Sequence, residues 1–182
     1  MYKSQGYHGS EEGLETLLGY QLFSIGNRAD SAALVYQVDY VLDGYVKKAG
    51  TNFVLSVGRL IGSQPELKGE QRLRKEDIYW EMPRCYQWDI TVNLPEGYRI
   101  SPEGLERLNV KVENDCGAFI VQATTEDGTL RIKAEKRINH KTEPVANWEK
   151  LLEITDAANS YEALSIVFQA TINPPTSPTT GY

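Results

Sequence analysis

The chain has 182 residues, room for one ordinary domain or two small ones. Its 19 Lys+Arg against 25 Asp+Glu leave a net charge of −6, so no basic excess exists to release counterions, and nucleic-acid binding is set aside as its main role. A composition 41% hydrophobic and 24% charged is that of an ordinary soluble globular protein that buries a core, while two Cys and two His leave little material for metal sites or nucleophile–base catalysis.

The first ten residues lack the apolar core of a signal peptide, and no window approaches the roughly 18 apolar residues of a membrane span. Ser10-Glu11-Glu12-Gly13, followed by Leu14, Leu17 and Leu18, predicts a short N-terminal helix. Ser10 is its N-cap, the two Glu favour the positive end of its dipole, and Gly13 and Gly19 keep it short. From Ala33 to Arg59 the period changes to two. Tyr36, Val38, Tyr40 and Leu42 alternate with Gln37, Asp39 and Val41, Asp43-Gly44 marks a tight turn, and Ala49-Gly50-Thr51-Asn52 a second before Phe53, Leu55 and Val57. The polar stretch from Gly62 to Asp77 reads as a solvated connection. It separates an N-terminal helix-and-hairpin subregion, 1–62, from a main antiparallel β domain, 63–172, although the two also read as parts of one domain.

The clearest strand places Tyr86, Trp88, Ile90, Val92 and Leu94 on one face and Gln87, Asp89, Thr91 and Asn93 on the other, before Pro95-Glu96-Gly97. Such alternation belongs to a half-buried antiparallel strand, since strands covered on both faces are apolar throughout. A hairpin spans Gly117 to Asn139 around Glu126-Asp127-Gly128-Thr129, with Leu130, Ile132, Ala134 and Ile138 inward and Arg131, Lys133, Glu135 and Arg137 outward. A helix near 144–158 starts at Pro144, carries Trp148, Leu151, Leu152, Ile154, Thr155 and Ala158 on its apolar stripe, and stops at Asn159. Leu164, Ile166 and Phe168 form a last strand, and the Pro-rich 173–182 is a flexible tail. The predicted fold class is mainly β: an antiparallel β-sandwich with one or two accessory helices. Its predicted core is Tyr86, Trp88, Ile90, Val92, Phe119, Val121, Ile132, Trp148, Leu151, Leu152, Ile166 and Phe168.

Chemistry-bearing residues are sparse. Cys116 and His140 are the one pair that could act as nucleophile and base, but Asn114-Asp115-Cys116-Gly117 reads as a turn entering a strand, not as a helix N-terminus that lowers a thiol pKa. A buried or half-buried Cys and an exposed loop His are the expectation, so no catalytic residue is assigned. The Cys and His show no paired ligand spacing, and Glu11-Glu12 and Glu126-Asp127 lack a calcium-loop pattern, so no metal and no cofactor are expected. Gly58-Arg59-Leu60-Ile61-Gly62 is not a phosphate loop, because no Gly-Lys-Ser/Thr follows. Cys85 and Cys116 form either one disulfide or two free thiols; nothing else in the composition suggests a disulfide scaffold, which weighs toward the thiols. Among the clustered aromatics, Trp88 and Trp148 fall on buried faces. Tyr79, Trp80 and Tyr98 remain as candidate ligand-binding residues for stacking on a glycan.

Three segments carry a resemblance: Val57-Gly58-Arg59-Leu60-Ile61-Gly62, Arg72 to Asp77, and Trp88 through Tyr98. Leu105 to Asn114, Gly117-Ala118-Phe119 and Pro144-Val145-Ala146-Asn147-Trp148 follow in the same order. Together, over roughly Gly50 to Phe168, they resemble the C-terminal β-domain of unknown function that follows the transglutaminase-like core in large secreted or periplasmic proteins of Bacteroides-type bacteria. The resemblance implies a non-catalytic accessory or interaction module, periplasmic or at the cell surface. Its implied partner is the upstream transglutaminase-like domain of the same protein, with catalysis residing there and not in Cys116. The alternative is a glycan-binding β-sandwich module. Protein or glycan partners are compatible with the sequence; nucleic acid and a membrane span are not expected.

Overall fold

The computed structural model describes residues 14–27 and 32–171. Ser10, the expected helix cap, and the tail 173–182 lie outside the described residues. The chain divides into two compact units, Met1–Lys47 and Lys48–Tyr182. This division falls ahead of the composition change at Gly62.

In the first unit, β1 (Leu14–Asn27) pairs antiparallel with β2 (Ala32–Leu42). The expected N-terminal helix is therefore a strand from Leu14 onward. Three leucines at helical spacing are too few to carry a helix against Gly19, because short helices are marginal without packing. The following Tyr20-Gln21-Leu22-Phe23-Ser24-Ile25 favours extended backbone and finds a full-length partner in β2. The Asp43-Gly44 bend does form, with Gly44 at φ 72° and its N–H donated to Asp43 Oδ1 at 2.7 Å. It does not close a hairpin, since β2 pairs with β1.

Next come β3 (Val46–Ala49), β4 (Asn52–Leu55), β5 (Ile78–Tyr79), β6 (Arg84–Asn93) and β7 (Tyr98–Ile100). They are followed by α1 (Pro102–Glu106), β8 (Val110–Asn114), β9 (Gly117–Glu126), β10 (Thr129–Ile138), β11 (Thr142–Glu143), α2 (Trp148–Glu162) and β12 (Ile166–Ala170). The described strand pairs are antiparallel and form two four-stranded sheets, β6-β10-β9-β8 and β3-β4-β12-β7, with the short pair β11-β5. The fold is mainly β with two helices, consistent with a β-sandwich-like arrangement. Among the described residues, no helix is long and apolar enough to cross a membrane.

The β9–β10 hairpin turns at Asp127 (φ 48°) and Gly128 (φ 73°), the positive angles of a primed turn that matches the twist of its strands. Its inner face, Phe119, Val121, Leu130 and Ile132, is buried with Leu151, Leu152, Ile154, Ala158 and Tyr161 of α2. The Phe119 and Tyr161 rings meet edge to face at 5.7 Å. Ile166 and Phe168 of β12 are buried as expected.

Other expectations need correction. Tyr86 is exposed, and Trp88, Ile90, Val92 and Trp148 are half-buried. The alternation along β6 is right, but β6 is an edge strand paired only with β10, so its apolar face is incompletely covered. Val57 belongs to a 3-10 turn, Val57–Ile61, and not to a strand. There the Gly58 N–H reaches Leu164 O at 3.0 Å, and a Cβ on Gly58 would lie 1.9 Å from Tyr161 O. Only glycine lets these backbones approach so closely. Pro144 stays extended ahead of the Val145–Asn147 turn, and α2 continues past Asn159, whose amide donates to Gln64 O at 3.4 Å. The second helix, α1, is capped by Ser101, whose hydroxyl accepts the Gly104 N–H at 3.0 Å.

Candidate functional site

The turn between β8 and β9 and the segment after β10 bring Cys116, His140 and Glu143 into one cluster. Asn114 Oδ1 accepts the Cys116 N–H at 3.0 Å, and Cys116 O accepts the Asn139 N–H at 2.9 Å, which ties the turn to the end of β10. The short β5–β11 ladder then sets Thr142 opposite Tyr79 and Glu143 opposite Ile78. This pairing carries Glu143 inward, where it is the buried charged residue among the described ones.

A buried carboxylate is tolerated when its oxygens are hydrogen-bonded. Glu143 Oε1 lies 2.5 Å from His140 Nδ1, and Oε2 accepts from Asn147 Nδ2 at 2.8 Å. The Cys116 Sγ lies 3.8 Å from Asp115 Oδ1, and the charge of the Glu143 carboxylate acts on the same thiol. Burial pushes the Glu143 carboxyl up, but the bonds from Asn147 and His140, His140's charge and the thiol outweigh it and hold the group below its ordinary value. Cys116 goes the other way. Burial and the negative charges of Glu143 and Asp115 push its thiol up to about 11. A nucleophilic cysteine needs the opposite, a pKa lowered toward neutrality.

Around this polar knot the packing is apolar. Ile78, Cys116 and Leu151 are buried together, with Trp80, Ile138 and Trp148 against them. The Trp148 indole N–H donates to Arg72 O at 2.8 Å, and the Arg74 guanidinium lies 5.4 Å from that ring's centroid. Arg72 in turn holds Asp156 through two bonds of 2.8 and 2.7 Å. Outside the knot, Lys150 grips both Asp115 oxygens at 2.9 and 2.8 Å.

The candidate aromatics separate. Tyr79 is exposed, with Lys141 Nζ 5.1 Å from its ring centroid. Trp80 donates its backbone N–H to Lys141 O at 2.8 Å and is half-buried against the apolar cluster. These two therefore border the Cys116–His140–Glu143 knot. Tyr98 belongs to β7 in the other large sheet, where its ring lies 5.1 Å from Phe53 and its hydroxyl donates to Thr51 O at 3.1 Å. Cys85 is exposed, Cys116 is buried, and both are free. Among the described residues, no set of three or more His, Cys, Asp and Glu is arranged to hold a metal ion.

Sequence reasoning missed Glu143 and Asn147, whose two-residue strand and short turn have no periodicity to read. It also passed over Lys136, for which a signal existed. In the inward series Leu130, Ile132, Ala134, Lys136, Ile138, parity places this lysine on the core face of β10. Its Nζ donates to Gln64 Oε1 at 2.9 Å, and burial lowers its pKa. On the opposite sheet face, Gln87, Asp89, Gln122, Lys133, Glu135 and Arg137 line a shallow groove together with Ile120, with Arg137 bound to Glu135 and Glu113.

Fold and site together define an antiparallel β module whose Cys–Glu–His constellation is a packed polar clamp. The chain belongs to the DUF3858 family, a domain of unknown function, whose family model matches residues 57–168, from the turn that carries Gly58 to Phe168 of β12. No match was found among curated proteins or among solved structures.

Proposed function

We propose that the chain is a non-catalytic accessory module, the C-terminal part of a larger transglutaminase-like envelope protein, where it packs against its upstream neighbour or presents that neighbour to a partner. The observation that carries this reading is the state of Cys116. Its thiol is fully buried and pushed up to about 11 by that burial and by the negative charge of a Glu143 carboxylate already engaged by His140 and Asn147. The His140 and Asn147 bonds tie β11 to the start of α2, and the Asn139 N–H to Cys116 O bond ties the turn before β9 to the end of β10, which is structural work. Membership of a domain family without an assigned activity accords with this. The ordered motifs from Val57 to Trp148 are the ground for placing a transglutaminase-like neighbour upstream, in the periplasm or at the cell surface.

The test expresses the transglutaminase-like segment of the parent protein and this chain as separate polypeptides. Co-purification, and a melting temperature for the neighbour several degrees higher with the chain than without it, are the expected results. Neither association nor a shift in melting temperature would overturn the reading.

A further inference from the structure

The β1–β2 ribbon carries an exposed apolar surface. Three register shifts, between Leu14 and Thr16, Leu17 and Gly19, and Leu22 and Ser24, interrupt β1, while β2 runs through the same stretch without one. Each is a bulge that re-phases side chains relative to the partner strand. Without them, Leu17 and Leu22 would fall on opposite faces of a regular strand, because side chains alternate with period two.

With the bulges, Leu17 opposes Tyr40, Tyr20 opposes Val38 and Leu22 opposes Tyr36. Directly opposed residues share a face, so Leu17, Tyr20, Leu22, Leu34, Tyr36, Val38 and Tyr40 form one apolar face. The Tyr20 and Tyr36 rings meet on it at 6.1 Å. The opposite face is mixed: Thr16, Gly19, Gln21, Ser24, Gln37 and Asp39 stand there with the exposed Val35 and Val41, the Gln37 amide is bonded to Asp39 at 3.0 Å, and Leu18 and Phe23, the extra residues of two bulges, are exposed as well.

On the apolar face Leu17, Tyr20, Leu22, Leu34, Tyr36 and Tyr40 remain between 44% and 60% exposed. A two-stranded ribbon with an uncovered apolar face is marginal in water and gains stability by stacking on a second layer. We propose that this face is a self-association surface, stacking on the same face of a second copy of the chain. The six exposed side chains offer on the order of 100 Å² each, given the roughly 150–250 Å² that a large aromatic buries. A symmetric pair then buries about 1,200 Å², the lower end of specific interfaces. A two-fold contact requires a patch that complements itself. This one carries no charged residue, so two copies meet without like-charge repulsion despite the chain's net charge of −6.

The test is sedimentation of the complete 182-residue chain over a dilution series, with circular dichroism of every variant. The expected result is a species of twice the 20.5 kDa chain mass that dissociates on dilution. Leu22→Asp and Leu17→Asp, at two points of the apolar face, should each weaken self-association at least ~100-fold, because a buried carboxylate faces its own copy across the two-fold. Gln21→Asp, between them on the other face, should leave it unchanged. Two aspartate variants allow a reading even if one unfolds the ribbon. A monomer at all concentrations would overturn the proposal, as would a dimer that both aspartates leave intact or one that Gln21→Asp disrupts equally. None of these outcomes bears on binding to the transglutaminase-like neighbour.

Discussion

Glu143 and Cys116 show how one buried carboxylate sets its neighbours' chemistry. The folded pKa of Glu143 lies below the unfolded value near 4.5. The stability it contributes is therefore present above pH 4.5 and is lost as pH falls through the lowered folded value. Glu143→Gln should remove that part of the acid limb. Urea titrations of wild type and variant from pH 7 to pH 3 should give curves that converge as the wild type is acidified; a constant offset would contradict the assignment. The replacement should cost about 1–3 kcal/mol at neutral pH, because Gln leaves the His140 or Asn147 donor poorly met. For Cys116 the sign reverses. Its pKa rises from 9.0 to about 11 on folding, so its contribution is complete below pH 9 and declines as pH climbs toward 11. A thiol reagent at neutral pH should label one cysteine quickly, the exposed Cys85, and reach Cys116 only on unfolding. Rapid labelling of both would show that the clamp opens readily.

At the scale of elements, position within the sheet decides how much each apolar residue contributes. β9 and β10 are interior strands, and Phe119 is fully buried against Tyr161. Phe119→Ala should therefore cost about 3–5 kcal/mol. Trp88 is larger but stands on the edge strand β6, half-buried and stacked on Tyr86 at 6.1 Å. Its truncation should cost less, about 1–2 kcal/mol, because much of the ring already meets water. Parallel denaturant titrations compare the two, and an equal or larger loss at Trp88 would mean that its face is covered. The same reasoning explains the sequence reading. Alternation identified which residues of β6 share a face, but it carries no information about how many strands flank them.

Over the whole molecule, stability is unevenly distributed between the two units. Lys48–Tyr182 holds a core in which β9, β10 and α2 bury one another, whereas the described ribbon in Met1–Lys47 is a single two-stranded layer. Amide exchange should be slowest in β9, β10 and the inner face of α2, and faster in β1 and β2 at dilutions where self-association is absent. Protection of the ribbon equal to that of β10 in a dilute monomer would show that the ribbon has a covering layer within its own chain. The Cys116 cluster also belongs to this scale. It joins the turn before β9 to the two-residue β11 and the start of α2 some way further along the chain, and β5 pairs with β11 although Tyr79 and Thr142 stand 63 positions apart.

Strand alternation, the Asp127-Gly128 turn, the apolar stripe of α2 and the mainly antiparallel β class follow from the sequence alone, because pleat, helical period and positive-φ turns act between residues close along the chain. The tertiary structure decided what depends on distant partners. It made Leu14–Asn27 a strand by supplying β2, left β6 at an edge, required glycine at position 58 against the backbone of Tyr161, and buried Glu143 between Cys116, His140 and Asn147. Local spacing cannot encode such contacts, since the energy that selects them comes from burial and hydrogen bonding between segments that meet only on folding.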